Sequence, residues 1–302
     1  MNIESMKQKI KDTGVGRGLY EWKQKKRMER RVRLCETNLE QAVSEIYNSM
    51  FDKPLDLKHP KTINEKMQYL KLNTYYDNPL VTKCADKYLV KEYLREIGME
   101  EIVVPLYGVY DSPGEIEWDK LPEQFVVKCN HGCGYNMIVP DKTKLNIPEV
   151  KKTLCQWMGE EYWKFFAEPQ YRFIEKKILI EKFLGDDIMT YKFYCFHGEP
   201  KVVYVSSEYD RYVDYFDMQW NRMDMYLSGH EHFPAEIKKP ESLDRMRQLA
   251  QKLSAEFPFV RIDLYDIDGK IYLSEYTFIP TGGYMHLLPD KNELTWGEWL
   301  HI

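Results

Sequence analysis

Apolar positions through residues 19–50 recur at Leu34, Leu39, Val43 and Ile46/Tyr47 on helix-forming sequence, which predicts an amphipathic helix at the start of the chain. Thr62 followed three residues later by Glu65 is a capping box and opens a second helix over 59–72. ADKYLVKEYLREIG, residues 85–98, predicts a helix closed by Gly98, and strands then follow in IVVPLYGVYD and LPEQFVVKCN. HGCG, residues 131–134, is a short loop between QFVVKCN and the return strand YNMIVPD. Residues 148–167 read as helical, and KKILIEKFLGDD as a strand running into a turn. Beyond Thr190 the pattern is extended: one hairpin turns at His197 and Gly198, a helix covers 241–256, and a second hairpin turns at Asp268 and Gly269. Hairpins interleaved with helices predict an α+β chain with mainly antiparallel sheets. Boundaries are expected near residues 80 and 182, giving a helical lead-in over 1–80 and two lobes over 81–181 and 182–302.

Composition narrows the class. In 302 residues, 43% hydrophobic with 23 Tyr, 13 Phe and 7 Trp, the rings require burial and exclude a disordered chain. The net charge is −5, which argues against a nucleic-acid partner, because phosphates call for basic surface. Charge is uneven, however: residues 1–33 hold eleven Lys/Arg and four Asp/Glu. That basic start is a candidate contact for a partner or an anionic membrane face. Six cysteines with no CxxC point to a reducing compartment. No signal-like or membrane-spanning run is evident, so a cytoplasmic location is expected.

Four segments carry candidate chemistry. In the last hairpin, a three-residue loop of Ile267, Asp268 and Gly269 would pair Asp266 with Lys270 and Asp263 with Leu273. Arg261, Asp263, Glu275 and Thr277 would then share one face, and two carboxylates beside a hydroxyl suit Mg²⁺. A two-residue loop would part the carboxylates, and an exposed polar face is the ordinary alternative. Lys128 ends the apolar strand FVVKCN before a glycine-containing loop, an arrangement that can offer an ammonium and backbone N–H groups to a polyphosphate. The chain has no GxxxxGK[ST], so this is not a P-loop, and a zinc site of Cys129, His131 and Cys133 lacks a fourth ligand. Glu181 and Lys182 end another apolar strand, with Asp186 and Asp187 behind them. Lys192 sits among aromatics, where a snorkelling surface lysine is the ordinary reading.

In their order, FVVKCNHGCG, EKFLGD, DIMTYKFYCFHGEPK and FVRIDLYDIDGKIYLSEYTF resemble the ATP-grasp fold. More closely, residues 55–302 resemble the TupA-like ATP-grasp family associated with teichuronopeptide and other bacterial surface-polysaccharide biosynthesis. The resemblance implies two α+β lobes holding ATP and Mg²⁺. It implies that Lys87 and Lys128, with the loop residues His131, Gly132 and Gly134, hold phosphates, and that Glu181, Lys182 and Leu184 form the adenine hinge. Asp187, or Asp186, would take the ribose and Lys192 the γ-phosphate. Asp263 and Glu275 would hold the metal, with Thr277 standing where many relatives carry Asn, and Arg261 would meet the acyl group. The implied activity joins a carboxylate to an amine through an acyl phosphate. Rival readings are a small-molecule kinase, a binding protein that keeps the fold without catalysis, and a glycosyltransferase whose DxD would be Asp266-Ile267-Asp268. Tyr135, His131, Arg211 and Tyr284 are candidates for sugar stacking.

Overall fold

The computed structural model describes residues 14–186, 188–207 and 212–302. The first thirteen residues of the basic start, the ribose candidate Asp187 and the stacking candidate Arg211 lie outside the described residues. Two compact units are present. One contains the described residues up to Pro54 with Lys164–Ala167, and the other contains Leu55–Trp163 and Glu168–Ile302.

The first unit carries α1 (Gly14–Thr37) and α2 (Leu39–Phe51). The single helix expected over 19–50 is therefore two, because the Asn38 side chain accepts from the Gln41 backbone N–H and caps α2. Ala42, Val43, Ile46 and Tyr47 are buried on α2. Arg30 spans the two helices with a two-pronged contact to Glu45 at 2.9 and 2.6 Å.

The second unit opens with α3 (Ile63–Leu72), α4 (Pro79–Ala85) and α5 (Leu89–Glu96). Thr62 and Glu65 form the expected capping box on α3. Strands β1 (Leu106–Tyr110), β2 (Phe125–Cys129) and β3 (Asn136–Val139) follow, then α6 (Ile147–Gly159) and β4 (Ile178–Lys182). These strands make an antiparallel four-stranded sheet in the order β1-β4-β2-β3. The helix expected to reach 167 ends at Gly159 and gives way to short turns at Tyr162–Lys164 and Pro169–Tyr171. The chain continues through β5 (Thr190–Phe196), β6 (Glu199–Ser206), β7 (Val213–Phe216), β8 (Tyr226–Leu227), α7 (Leu243–Ser254), β9 (Phe259–Ile267), β10 (Lys270–Thr277), β11 (Leu287–Leu288) and α8 (Lys291–Trp299). A five-stranded antiparallel sheet results, ordered β10-β9-β5-β6-β7, while β8 pairs with β11.

Each large sheet has its own core. Phe125, Val127, Ile178 and Ile180 bury one face of the first against Val150 and Leu154 of α6. Phe193, Val203, Ile262 and Leu264 of the second join Leu243, Met246 and Leu253 of α7. Ile63, Met67, Val81, Val90 and Leu94 of α3 to α5 enter that same second core. This corrects the boundary expected near 80: the helices on both sides of it serve the second sheet, and the break falls between Pro54 and Leu55. Polar ties add to the apolar ones. Asn64 exchanges two hydrogen bonds with the Met285 backbone, at 2.7 and 2.9 Å, and Gln68 donates to the Gly283 carbonyl at 2.7 Å. At the far end of the chain, Gly297 of α8 comes so close to this segment that a Cβ would stand 1.9 Å from the Lys61 carbonyl oxygen.

The last hairpin departs from its expected register. His197 and Gly198, at φ 51° and 78°, make the two-residue turn expected in the first hairpin, and Asp268 and Gly269, at 51° and 81°, make one in the second. The loop thus holds two residues and not three, and Ile267 pairs with Lys270 and Asp266 with Ile271. Leu273 pairs with Leu264, inside the core, and not with Asp263.

Candidate functional site

A cavity of about 270 Å³ lies in the second unit, walled by Lys87, Lys128, Lys192, Asp263, Glu275 and the segment following β4. Asp263 and Glu275 reach it in spite of the two-residue loop. A β-bulge between Leu273 and Glu275 shifts the pairing by one residue, so that Glu275 faces Asp263 and Thr277 faces Arg261. Ser274 and Glu275 consequently both line the cavity, although they are adjacent in a strand whose side chains otherwise alternate. The paired face expected from the sequence is present, built by a different route.

Cations hold these two carboxylates together. Arg261 grips Asp263 with two bonds of 2.7 Å, donates to the Thr277 hydroxyl at 3.1 Å, and stands 3.6 Å from Glu275. Lys87 lies 3.3 Å from the other Glu275 oxygen. Burial raises the Glu275 pKa, but Lys87, Arg261 and Lys192 outweigh it and bring the group down to about 2. Burial pushes Asp263 above its ordinary value against the pull of Arg261. Lys192 pairs with Asp263 across β5 and β9, and its ammonium lies 5.0 Å over the Tyr204 ring. Two carboxylates and a hydroxyl gathered on one face form a hard oxygen set that fits Mg²⁺, an ion that takes one or two carboxylates and completes its shell with water and phosphate oxygens.

Lys87 is positioned from behind. Buried Asp86 caps the turn entering α5 through the N–H groups of Tyr88 and Leu89, at 2.7 and 3.2 Å, and accepts from Asn130 at 2.9 Å. Asn130 is itself fully buried; it donates to the Glu175 carbonyl and accepts from the Lys177 N–H. Lys87 donates to the Gly132 carbonyl at 2.7 Å, which ties the glycine loop to the same ammonium. Gly132 is required there, because a Cβ would come 2.5 Å from the Tyr162 ring, and Gly134 has φ 78°.

Glu181 also lines the cavity. It is 4% exposed and bonded at 2.7 Å to both Lys91 and Lys128. Burial raises its pKa, yet the two ammonium groups outweigh that and hold it at about 2. Glu181 thus anchors Lys128 at the cavity wall through its side chain. The adjacent residues Lys182, Phe183, Leu184 and Gly185 line the cavity beyond the sheet edge.

Other sequence candidates sit elsewhere. His131 is buried outside the cavity lining, bonded to the Trp157 carbonyl at 3.1 Å, and burial lowers it to about 4. Asp186 is exposed and follows the cavity-lining segment of Lys182, Phe183, Leu184 and Gly185. Tyr135 lines the cavity but gives its hydroxyl to Glu160 at 2.6 Å, and the Tyr284 ring lies under Lys71 at 4.9 Å. Cys129, His131 and Cys133 form no zinc site, for among the described residues no three His, Cys, Asp or Glu side chains are grouped to hold a metal. Asp266 of the DxD caps the hairpin by accepting from the Gly269 N–H at 2.9 Å and from the Ser242 hydroxyl, while Asp268 occupies the turn. The sequence reading missed Lys91, Asp86 and Asn130. Lys91 stands one helical turn after Lys87 in ADKYLVK, and that spacing was the available signal.

The depressed Glu181 pKa makes an acid-stability prediction. A carboxylate lowered on folding stabilises the fold above its unfolded value near 4.5 and loses that contribution as pH falls toward 2. The effect is about 3 kcal/mol at neutral pH. Urea midpoints of Glu181→Gln should be lower than wild type at pH 7 and should fall less between pH 7 and pH 3; parallel declines would remove the clamp from the account.

Comparisons with known proteins complete the description. Among solved structures, a D-alanine–D-alanine ligase from Bacillus anthracis is similar at 22% identity and TM-score 0.39 over 65% of this chain and 57% of its own. An L-amino acid ligase from Bacillus licheniformis is similar at 17% identity and TM-score 0.42 over 81% of this chain and 56% of its own. The chain therefore spans a little over half the length of these ligases. No curated protein matches the sequence significantly. No helix among the described residues is long and apolar enough to cross a membrane. The family model described as TupA-like ATPgrasp matches residues 65–301, so the chain belongs to the TupA-like ATP-grasp family.

Proposed function

We propose that the protein is an ATP-dependent carboxylate–amine ligase that works through an acyl phosphate. The observation that carries this reading is the gathering of Lys87, Lys128, Lys192 and the Asp263–Glu275 pair around one cavity, with Arg261 bound to that pair. Three ammonium groups from separate segments suit the spread negative charge of a triphosphate, and the segment Lys182–Gly185 suits an adenine edge. Asp263 and Glu275, with Thr277, would hold Mg²⁺, which when bound neutralises phosphate charge. Lys87, fixed at the glycine loop, and Lys128, fixed by Glu181, orient the polyphosphate. Lys192 stabilises the charge on the phosphoryl group as it passes to the carboxylate. The planar fork of Arg261 suits the acyl phosphate and the oxyanion that forms when the amine attacks. No side-chain nucleophile is required.

For the substrates, the resemblance to enzymes of surface-polysaccharide biosynthesis supports a uronic acid or amino-acid carboxylate and an amino acid or amino sugar as the amine. Incubation with ATP, Mg²⁺ and pools of such acids and amines should release ADP and phosphate only when both partners are present. Asp263→Asn and Glu275→Gln should each reduce that release by roughly a hundredfold or more. ADP release with a single acceptor would indicate a kinase, and nucleotide-sugar hydrolysis without ATP a glycosyltransferase.

The basic start supports a second contact. Lys25, Lys26, Arg27 and Arg33 are exposed on α1, with Trp22 also exposed, a combination that suits an anionic membrane face. Replacing these four cations by Gln should lower co-sedimentation with anionic vesicles at low salt; equal recovery with neutral and anionic vesicles would leave α1 a solvated helix.

A further inference from the structure

Two hydroxyls on the cavity wall have no part in the phosphate and metal contacts described above. Tyr265 of β9 and Ser274 of β10 both line the cavity, and both are half-buried. Their hydroxyls lie 3.0 Å apart, in a hydrogen bond that Ser274 donates to Tyr265. Neither hydroxyl has another hydrogen-bond partner among the described residues. Ser274 is the unpaired residue of the bulge: Leu273 pairs with Leu264 and Glu275 with Asp263, and no residue of β9 stands across from Ser274. The extra residue that brings Glu275 to Asp263 is therefore also the one that meets the tyrosine.

Two hydroxyls carry two protons, and one is used in the bond between them. The other proton and the remaining oxygen lone pairs stay available, whichever way that bond runs. With Ser274 as donor, Tyr265 offers its O–H and Ser274 a lone pair. An alcohol satisfies both at one oxygen, whereas an ionised phosphate oxygen only accepts and an ammonium only donates. The position of the pair points the same way. Asp263 pairs with Lys192 across β9 and β5, and Tyr265, two residues further along β9, pairs with Thr190. That step is about 7 Å along the strand on the same face, and it leads away from Arg261, which lies two residues before Asp263. Thr190 lines the cavity and follows closely on Ile188 and the segment Lys182–Gly185, which line it too. The charged rung is thus succeeded by the rung of Tyr265 and Thr190, whose β5 side leads back to the segment proposed for the base. A nucleotide with its phosphates among the lysines and its base at Lys182–Gly185 carries its sugar across that interval.

We infer that Tyr265 and Ser274 read a sugar hydroxyl of the nucleotide, with Tyr265 donating to its oxygen and Ser274 accepting its proton. The inference rests on the ATP reading of the cavity and adds to it a specificity-determining pair that separates a ribonucleotide from a deoxynucleotide. A site that hydrogen-bonds a substrate hydroxyl rejects the analogue lacking it, because the protein groups that met the hydroxyl are then left without their partner.

Calorimetric titration of the full chain with ATP, 2′-deoxyATP and 3′-deoxyATP, each with Mg²⁺, tests this. Wild type should bind one of the two deoxynucleotides roughly fivefold or more weakly than ATP. Tyr265→Phe should weaken ATP by a similar factor and leave that deoxynucleotide within about twofold of its wild-type affinity, because the same contact is missing either way. Retained binding of the deoxynucleotide also reports that the variant is folded. Ser274→Ala should narrow the preference for ATP in the same direction. Equal binding of all three nucleotides by wild type would overturn the inference and leave the ATP reading standing. So would a loss in Tyr265→Phe that is the same for all three, which would give the pair to the phosphates or to packing. No binding of any of the three to wild type would remove the ATP reading itself, and the inference with it.

Discussion

Charge is buried around this cavity chiefly by pairing it with opposite charge, and Glu181 is where that pairing is tightest. Desolvating one carboxylate and two ammonium groups costs several kcal/mol for each ion, and close contact returns that only with good geometry. Glu181 meets both lysines at 2.7 Å. The clamp joins α5, β2 and β4, so one side chain fixes the helix behind the glycine loop, the strand before it and the strand leading to the cavity-lining residues Phe183, Leu184 and Gly185. Lys91 is drawn below its ordinary value by burial, whereas Lys128 is raised because Glu181, Tyr265 and Glu275 outweigh its burial. The lysine on the cavity wall is thereby the one held firmly charged.

The second carboxylate pair depends on backbone geometry in the same way. Without the bulge, Glu275 would lie on the core face of β10 and Ser274 alone would face Asp263. With it, Arg261, Asp263, Glu275 and Thr277 form one hydrogen-bonded patch, which Lys87 joins through Glu275. The patch is cross-linked by cations that a bound metal and polyphosphate can replace, so the pairs that stabilise the fold also preorganise the site.

Much of this was legible in the sequence, and the failures have physical causes. The α+β class, the hairpins and the capping box follow from periodicity and local chemistry. Lys128, Lys192, Asp263 and Glu275 were identified from strand ends and a family resemblance, and all four line one cavity. The register of the last hairpin was misjudged, because a tight Asp-Gly turn followed by a bulge and a longer loop without one can bring the same residues together. The boundary near 80 failed because α3 shows only its own amphipathic face, and the surface that receives it lies more than two hundred residues away at Met285. Lys91 and Asn130 were missed since burial of a polar side chain depends on tertiary partners that a linear pattern does not contain.

The central claim is that Lys128 serves the polyphosphate through a clamp in which Lys91, outside the cavity lining, is an equal partner. Calorimetric titration with ATP and Mg²⁺ of wild type, Lys128→Met, Lys91→Met and the double variant tests it most directly. The account predicts roughly tenfold or greater weakening in each single variant and little further loss in the double, because one buried network is broken in each case. Wild-type affinity in Lys91→Met, or losses that simply add, would contradict it.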